Sequence, residues 1–207
     1  MKVFSYFLFG FLVTCKVHGQ NCQRLDSTSF FTSIKFGDQI PADLASCSKK
    51  SKIESPYYGI LRTKYDSLTR ECKKKYTDLF TFQSTSFSFS QVSTNKSGQI
   101  LTVELYSFFN DNRTAKEINY GPPPDFIRIY RKLESLYGKP AIIQEPTKTD
   151  SLFIKEKGMP WLIAWYCNTI NLQLRVNYGA REEALNVLHI QITNREFDIV
   201  KELELLQ

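Results

Sequence analysis

The 207-residue sequence is poor in histidine and glycine, and each shortage excludes a class of chemistry. Only His18 and His189 occur, and His18 lies in a predicted signal peptide, so a Ser-His-acid or Cys-His site would rest on His189 alone. The same scarcity argues against a histidine-rich metal site, and the nine scattered glycines form no phosphate-binding signature. His189 lies within a predicted strand, facing away from Leu188 and Ile190, and we interpret it as a structural or exposed histidine. We therefore predict no cofactor and favour a protein that is not an enzyme.

Long apolar runs are also scarce, and the one present lies at the N-terminus. A run of 11 residues at 3–13 follows a lysine and leads into a more polar stretch. Such a run is typical of a signal peptide and short for a bilayer span, so we predict a signal peptide over residues 1–19. A buried N-terminal strand is one alternative. Lipid anchoring at Cys15 is another, because residues 12–15 resemble a bacterial lipobox, although Thr14 stands where that family prefers Gly, Ala or Ser.

The rest of the chain contains no second long apolar segment, so we expect no transmembrane segment in the mature protein and a secreted or periplasmic location. Cleavage after Gly19 would remove Lys2 and Lys16 and lower the formal net charge from +6 to +4. So mild a positive excess does not indicate nucleic-acid binding. We expect the partner to be a macromolecule of the envelope or the extracellular space.

Four cysteines follow Cys15, namely Cys22, Cys47, Cys72 and Cys167. Their even number favours disulfides in an oxidising compartment, with three possible connectivities. None of them forms a Cys-X-X-Cys pair, which argues against a zinc site or a redox motif. Cys47 with Cys72 is the most local pairing, and it leaves Cys22 with Cys167. Four free buried thiols are the alternative.

Helical and strand patterns alternate along the chain. Apolar residues recur at helical spacing over 61–76 and again over 125–137, where Gly138 and Pro140 mark the helix end. Strand patterns, many of them with period two, fall in the following segments: 79–82, 87–89, 101–106, 142–143, 161–167, 170–178 and 188–192. We predict a short C-terminal helix over 195–206.

The order of these patterns is helix then strands, twice. Strands that follow one another without intervening helices pair antiparallel, so the predicted fold class is α+β. A Gly-Pro-Pro-Pro run at residues 121–124 separates the two sets. We therefore predict two helix-plus-antiparallel-sheet units in tandem. The first covers 20–120, with an N-terminal extension, and the second covers 121–207.

Two other functions stay open on the residues alone. Carboxylates lie in or beside predicted loops at Asp111, Glu117, Asp125, Glu145, Glu182 and Glu183. A secreted hydrolase would need two of them to converge, near Asp125 or Glu182. A carrier of a small apolar ligand would need a cavity in the sheet, lined by Phe87, Phe89 or Trp165. For the tryptophans we favour packing in the core.

Two further sequence features are candidates for a role at the protein surface. Asn95 and Asn112 begin Asn-X-Ser/Thr triplets in predicted loops, which would be glycosylation sites if the source is eukaryotic. Lys73 to Lys75 form a basic run that is either a patch for an anionic surface or a solvated helix end, and we favour the helix end.

The segment from Tyr130 to Pro140, YRKLESLYGKP, precedes an aromatic-rich strand at 161–167 and two alternating strands. This arrangement resembles small exported bacterial proteins of unknown function. More loosely, the tandem order of helix and strands resembles the beta-lactamase-inhibitor-protein-like architecture. The resemblance implies a non-enzymatic binding module of the envelope or the extracellular space, and no functional residue carries over. We therefore predict an exported binding protein of unknown partner.

Overall fold

The computed structural model describes residues 19–47, 51–52, 59–95, 97–109, 122–145, 161–177 and 186–196, and for 51–52 the backbone alone. The helices within these ranges are α1 (Cys22–Asp26), α2 (Ala42–Cys47), α3 (Arg70–Lys75) and α4 (Pro124–Tyr137). The first strands are β1 (Ser51–Lys52), β2 (Ile60–Lys64), β3 (Thr81–Phe82), β4 (Thr85–Ser86) and β5 (Phe89–Thr94). The others are β6 (Ile100–Phe109), β7 (Ile142–Gln144), β8 (Trp161–Tyr166), β9 (Ile170–Asn177) and β10 (Asn186–Asn194).

Eight of these strands form one antiparallel sheet in the order β1-β2-β5-β6-β10-β9-β8-β7, and β3 pairs with β4 in a separate hairpin. The predicted α+β class with antiparallel strands is confirmed. The predicted tandem units are wrong, because β6 from the first half pairs with β10 from the second half. The period-two pattern specifies which residues share a face of a strand, but not which strand lies beside it.

Helix α4 follows its sequence signals closely. Pro124 occupies the first helical position, and the helix buries Phe126, Ile129 and Leu133 at a spacing of three or four residues. It ends at Gly138, whose φ of +75° strains any residue with a Cβ. A Cβ there would also lie 1.7 Å from the Gly19 carbonyl oxygen, so the chain requires glycine at this position.

The prediction of one helix over residues 61–76 is wrong. Residues 60–64 form β2, a 3₁₀ turn follows, and only Arg70–Lys75 are α-helical. The side chain of Thr69 caps α3 by accepting a hydrogen bond from the Cys72 amide at 3.3 Å. The prediction failed at its start because residues 60–64 pair along the whole of their length with β5, and this pairing overrides local propensity.

The segment before β1 is part of the core rather than an extension from it. Leu25, Phe31, Ile34 and Leu44 are buried in the same apolar cluster as the sheet. Two disulfides hold this segment in place, one joining Cys22 to Cys167 and the other Cys47 to Cys72. Of the three possible connectivities, the structure has the one with the most local pairing, which the sequence favoured.

Two half-buried carboxylates reinforce these links. Asp78 accepts hydrogen bonds from the Thr32 amide at 2.6 Å and the Ser33 amide at 2.9 Å, and also from both hydroxyl groups. Asp26 accepts from three consecutive amides in the turn between β8 and β9, those of Asn168, Thr169 and Ile170. Each carboxylate thus satisfies backbone donors of a segment distant in sequence.

Several predictions concern residues outside the described ranges. These are the signal peptide with Cys15, the sequon at Asn112 and the body of the C-terminal helix. Within the described ranges, none of the helices has the length and apolar character needed to cross a bilayer.

Loss of the Cys22–Cys167 bridge should cost more stability than loss of the Cys47–Cys72 bridge. The first closes a sequence separation of 145 residues and the second one of 25. The chain-entropy relation converts that ratio into about 1.5 kcal/mol. Urea unfolding of the two double cysteine-to-serine variants measures the difference. Equal losses, or a larger loss for Cys47→Ser/Cys72→Ser, would contradict this ranking.

Asp78 should make the protein less stable in acid. Burial raises the pKa of this carboxyl group, but the hydrogen bonds from Ser33 and Thr32 outweigh burial and hold the pKa below its usual value. The stabilisation is therefore present above the unfolded-state pKa of about 3.9 and is lost as the pH falls through the folded-state value.

The variant Asp78→Asn should lose about 1–2 kcal/mol at neutral pH, allowing for partial solvent exposure, and should lose less than the parent on acidification. Urea midpoints from pH 7 down to about 3 measure both effects. Asp66→Asn, the same chemical change at an exposed position of the 3₁₀ turn, is the control. Parallel pH profiles for Asp78→Asn and the parent protein would refute the assignment.

Candidate functional site

The two faces of the central sheet differ in chemistry. The inner face is apolar and carries, for example, Leu105, Ile190, Leu172 and Trp165, all fully buried. Helix α4 packs on this face, where Phe126 and Tyr130 contact the rings of the β8 tryptophans. The outer face carries the alternate residues of the same strands, and most of these are polar or aromatic.

Strand register arranges the outer side chains in two parallel rows across five strands, β2, β5, β6, β10 and β9. The first, here called the glutamine row, consists of Arg62, Gln91, Glu104, Gln191 and Gln173. The second, the aromatic row, consists of Lys64, Phe89, Tyr106, His189 and Arg175. Neighbouring strands lie about 4.8 Å apart, so each row extends roughly 19 Å from β2 to β9.

A chain of hydrogen bonds joins the first half of the glutamine row to His189. Arg62 donates to Gln91 Oε1 through Nε at 3.0 Å and Nη2 at 2.8 Å. Gln91 Nε2 donates to Glu104 Oε1 at 3.5 Å, and His189 Nε2 lies 3.0 Å from Glu104 Oε2. The side chains of His189 and Glu104 are only 13% and 23% exposed, which strengthens the attraction between them.

A second chain of hydrogen bonds organises the β9 side of the face. Arg175 donates to Gln173 through Nε and Nη2, and to Gln191 Oε1 at 3.3 Å. Gln173 Nε2 in turn donates to the Tyr166 hydroxyl at 3.3 Å. The guanidinium group of Arg175 is thus held in one orientation on the sheet.

Three rings, here called the aromatic group, lie beside the His189–Glu104 pair. Phe89 stacks on Tyr106 with ring centroids 5.1 Å apart, and Phe108 meets both rings edge-on. Phe108 is 42% exposed although β6 is an interior strand. Burial raises the pKa of the Tyr106 hydroxyl. The charge of Arg62 lowers this pKa and that of Glu104 raises it, but burial has the largest effect, so the hydroxyl stays protonated at neutral pH.

His189 lies where the alternation of β10 predicts, on the face opposite Leu188 and Ile190. Its carboxylate partner Glu104 lies 85 residues away in sequence and did not enter the predictions. A charged residue in the middle of an apolar alternating strand, as Glu104 is in β6, was the available signal. That signal does not reveal the strand order, which is what brings Glu104 to His189.

The carboxylates considered for hydrolysis show no convergent pair within the described ranges. Asp125 is exposed on the first turn of α4 and forms an ion pair with Arg128 at 2.9 Å. Glu145 is exposed after β7. The remaining four, Asp111, Glu117, Glu182 and Glu183, lie outside the described ranges. Among the residues described, no cluster of three or more His, Cys, Asp or Glu side chains could hold a metal ion.

The aromatic residues considered for an apolar cavity are divided between the two sides of the sheet. Phe87 and Trp165 are buried in the core, as we favoured for the tryptophans, whereas Phe89 belongs to the outer aromatic group. Asn95 lies in the turn between β5 and β6, where its side-chain amide donates to Gln99 Oε1 at 2.9 Å. Asn95 Nδ2, the atom that a glycan would be attached to, therefore takes part in a hydrogen bond within the turn.

Comparison with known protein families, with curated proteins and with solved structures gives no match to this chain.

The outer face should contribute little to folding. On the same strand, Leu105→Ala should cost about 2–4 kcal/mol because it opens a cavity in the core. Phe108→Ala should cost no more than about 1 kcal/mol, because the exposed ring loses only part of its contacts. Urea unfolding of the two variants measures both values. A loss at Phe108 as large as that at Leu105 would show that the aromatic group is structural.

Proposed function

We propose that this chain is an exported, non-enzymatic binding protein, and that the outer face of its sheet contacts a macromolecular partner. The observation that carries the proposal is the aromatic group, Phe89, Tyr106 and Phe108, set within a hydrogen-bonded polar network on the face opposite α4. Aromatic and arginine side chains supply most of the binding energy in protein interfaces.

The polar network supports binding because it fixes side chains before a partner arrives. Arg62 and Arg175 are held by glutamine side chains, and His189 is held by Glu104. Side chains that are already ordered lose less conformational entropy on binding. The side chains of both rows should therefore lose little conformational entropy when a partner binds.

The composition of the face favours binding over catalysis. Hydrolysis of glycosides needs two carboxylates that converge on one bond. Among the described residues of the two rows there is one carboxylate, Glu104, and it is already engaged by His189. Small-molecule chemistry is also generally housed in a concave pocket, whereas the two rows lie along a continuous sheet. The two disulfides are compatible with a protein that matures in an oxidising compartment outside the cytosol.

Site-specific photocrosslinking tests the proposal. The photoreactive residue p-benzoylphenylalanine replaces Phe108 in one protein and Lys132, exposed on α4, in the control. Each protein is irradiated with the extracellular and envelope fractions of its source. We expect a crosslinked product of raised mass from position 108 alone, and its loss when Tyr106→Ala is added. Equal labelling from both positions, or none from position 108, would overturn the proposal.

A further inference from the structure

Basic residues are frequent in the segment that contains β2 and α3. Residues 60–76 contain six basic side chains, namely Arg62, Lys64, Arg70, Lys73, Lys74 and Lys75. They contain two acidic ones, Asp66 and Glu71, so this segment has a net charge of +4 against +6 for the whole chain. One basic side chain, Lys75, forms an ion pair with Asp43 of α2. The other five form no ion pair with any residue that the structure describes, and together they produce a local positive field.

Two basic residues of this segment belong to the outer face. Arg62 and Lys64 are exposed on β2 and begin the glutamine row and the aromatic row. Lys64 Nζ lies 6.0 Å from the centre of the Phe89 ring, and Lys73 Nζ lies 5.0 Å from that of Tyr65. These cation–π contacts keep both ammonium groups beside the rings. At the far end of the aromatic row, Arg175 adds a further positive charge on β9.

We propose that the outer face and its basic segment bind a linear acidic polysaccharide, one that bears carboxylate or sulfate groups along its length. The inference rests on the proposed function and names its partner class. Cations stand at both ends of the aromatic row, Lys64 and Arg175, and Arg62 begins the glutamine row. Charges spread over roughly 19 Å suit a repeating anion better than a small one. Between them lie glutamine amides, which donate to and accept from hydroxyl groups. Beside them the exposed ring of Phe108 offers an apolar surface on which the C–H face of a sugar can pack.

The same chemistry favours a polysaccharide over two other polyanions. An anionic membrane would draw on long apolar side chains that insert into it, and the rings of the aromatic group instead pack on one another. An acidic protein would match the cations but would leave the amides of the glutamine row with no hydroxyl-rich surface to bind. Both are outcomes of the test.

Binding is measured by isothermal titration calorimetry with five probes, at low and at high salt. They are polygalacturonate, heparin, neutral dextran, polyglutamate, and vesicles of phosphatidylglycerol with phosphatidylcholine. We expect binding to polygalacturonate or heparin, and none to dextran. The affinity should fall as salt rises, because cations of the face replace counterions of the polymer.

Two double variants locate the site. Arg62→Ser/Lys64→Ser should weaken polysaccharide binding by about tenfold or more, because it removes two charge-assisted contacts. Arg131→Ser/Lys132→Ser, which removes the same charge from exposed positions of α4, should leave the affinity within about twofold. Near-ultraviolet circular dichroism confirms that both variants are folded.

The proposal is overturned if neither acidic polysaccharide binds, if dextran binds equally well, or if both double variants weaken binding to the same extent. Tighter binding of vesicles or polyglutamate than of either polysaccharide would also overturn it. Crosslinking from position 108 that persists without polysaccharide binding would reject the partner class and keep the binding face. If neither crosslinking from position 108 nor polysaccharide binding is observed, the binding face is rejected as well.

Discussion

The pairing of β6 with β10 is the contact on which the rest of the structure depends. It runs from Asn186 opposite Phe109 to Thr193 opposite Thr102 and joins the two halves of the chain into one sheet. The register places apolar residues of both strands on the inner face and polar residues on the outer face. A slip of one residue would turn every side chain of one strand to the wrong face, so the register and the apolar core stabilise each other.

The inner face is then covered by elements from both ends of the chain. Helix α4 packs over the β8 tryptophans, and Trp165 Nε1 donates to the Gly138 carbonyl at the helix end. The segment before β1 is held to the sheet by the Cys22–Cys167 disulfide and by Asp26. With this face used for stability, the outer face is the one that we propose for binding, and its arginines and glutamines are held in place by hydrogen bonds.

Local features could be predicted from the sequence, and features that depend on strand neighbours could not. The stripe of Phe126 and Leu133, ended by Gly138, located α4, and the spacing of the cysteines favoured the observed disulfides. The helix predicted over 61–76 was wrong at its start because β5 pairs with residues 60–64. The Glu104–His189 pair and both rows were out of reach, since they exist only once β6 lies beside β10.

The most direct test of this account is a nuclear Overhauser experiment on the backbone protons of β6 and β10. The pairing predicts cross-peaks between strands at Leu105 with Ile190 and at Val103 with Ile192. Together with contacts of β9 to β10, they would establish one sheet through both halves of the chain. Cross-peaks confined to residues 59–109 on one side and 161–194 on the other would contradict it, and the outer face would not exist as described.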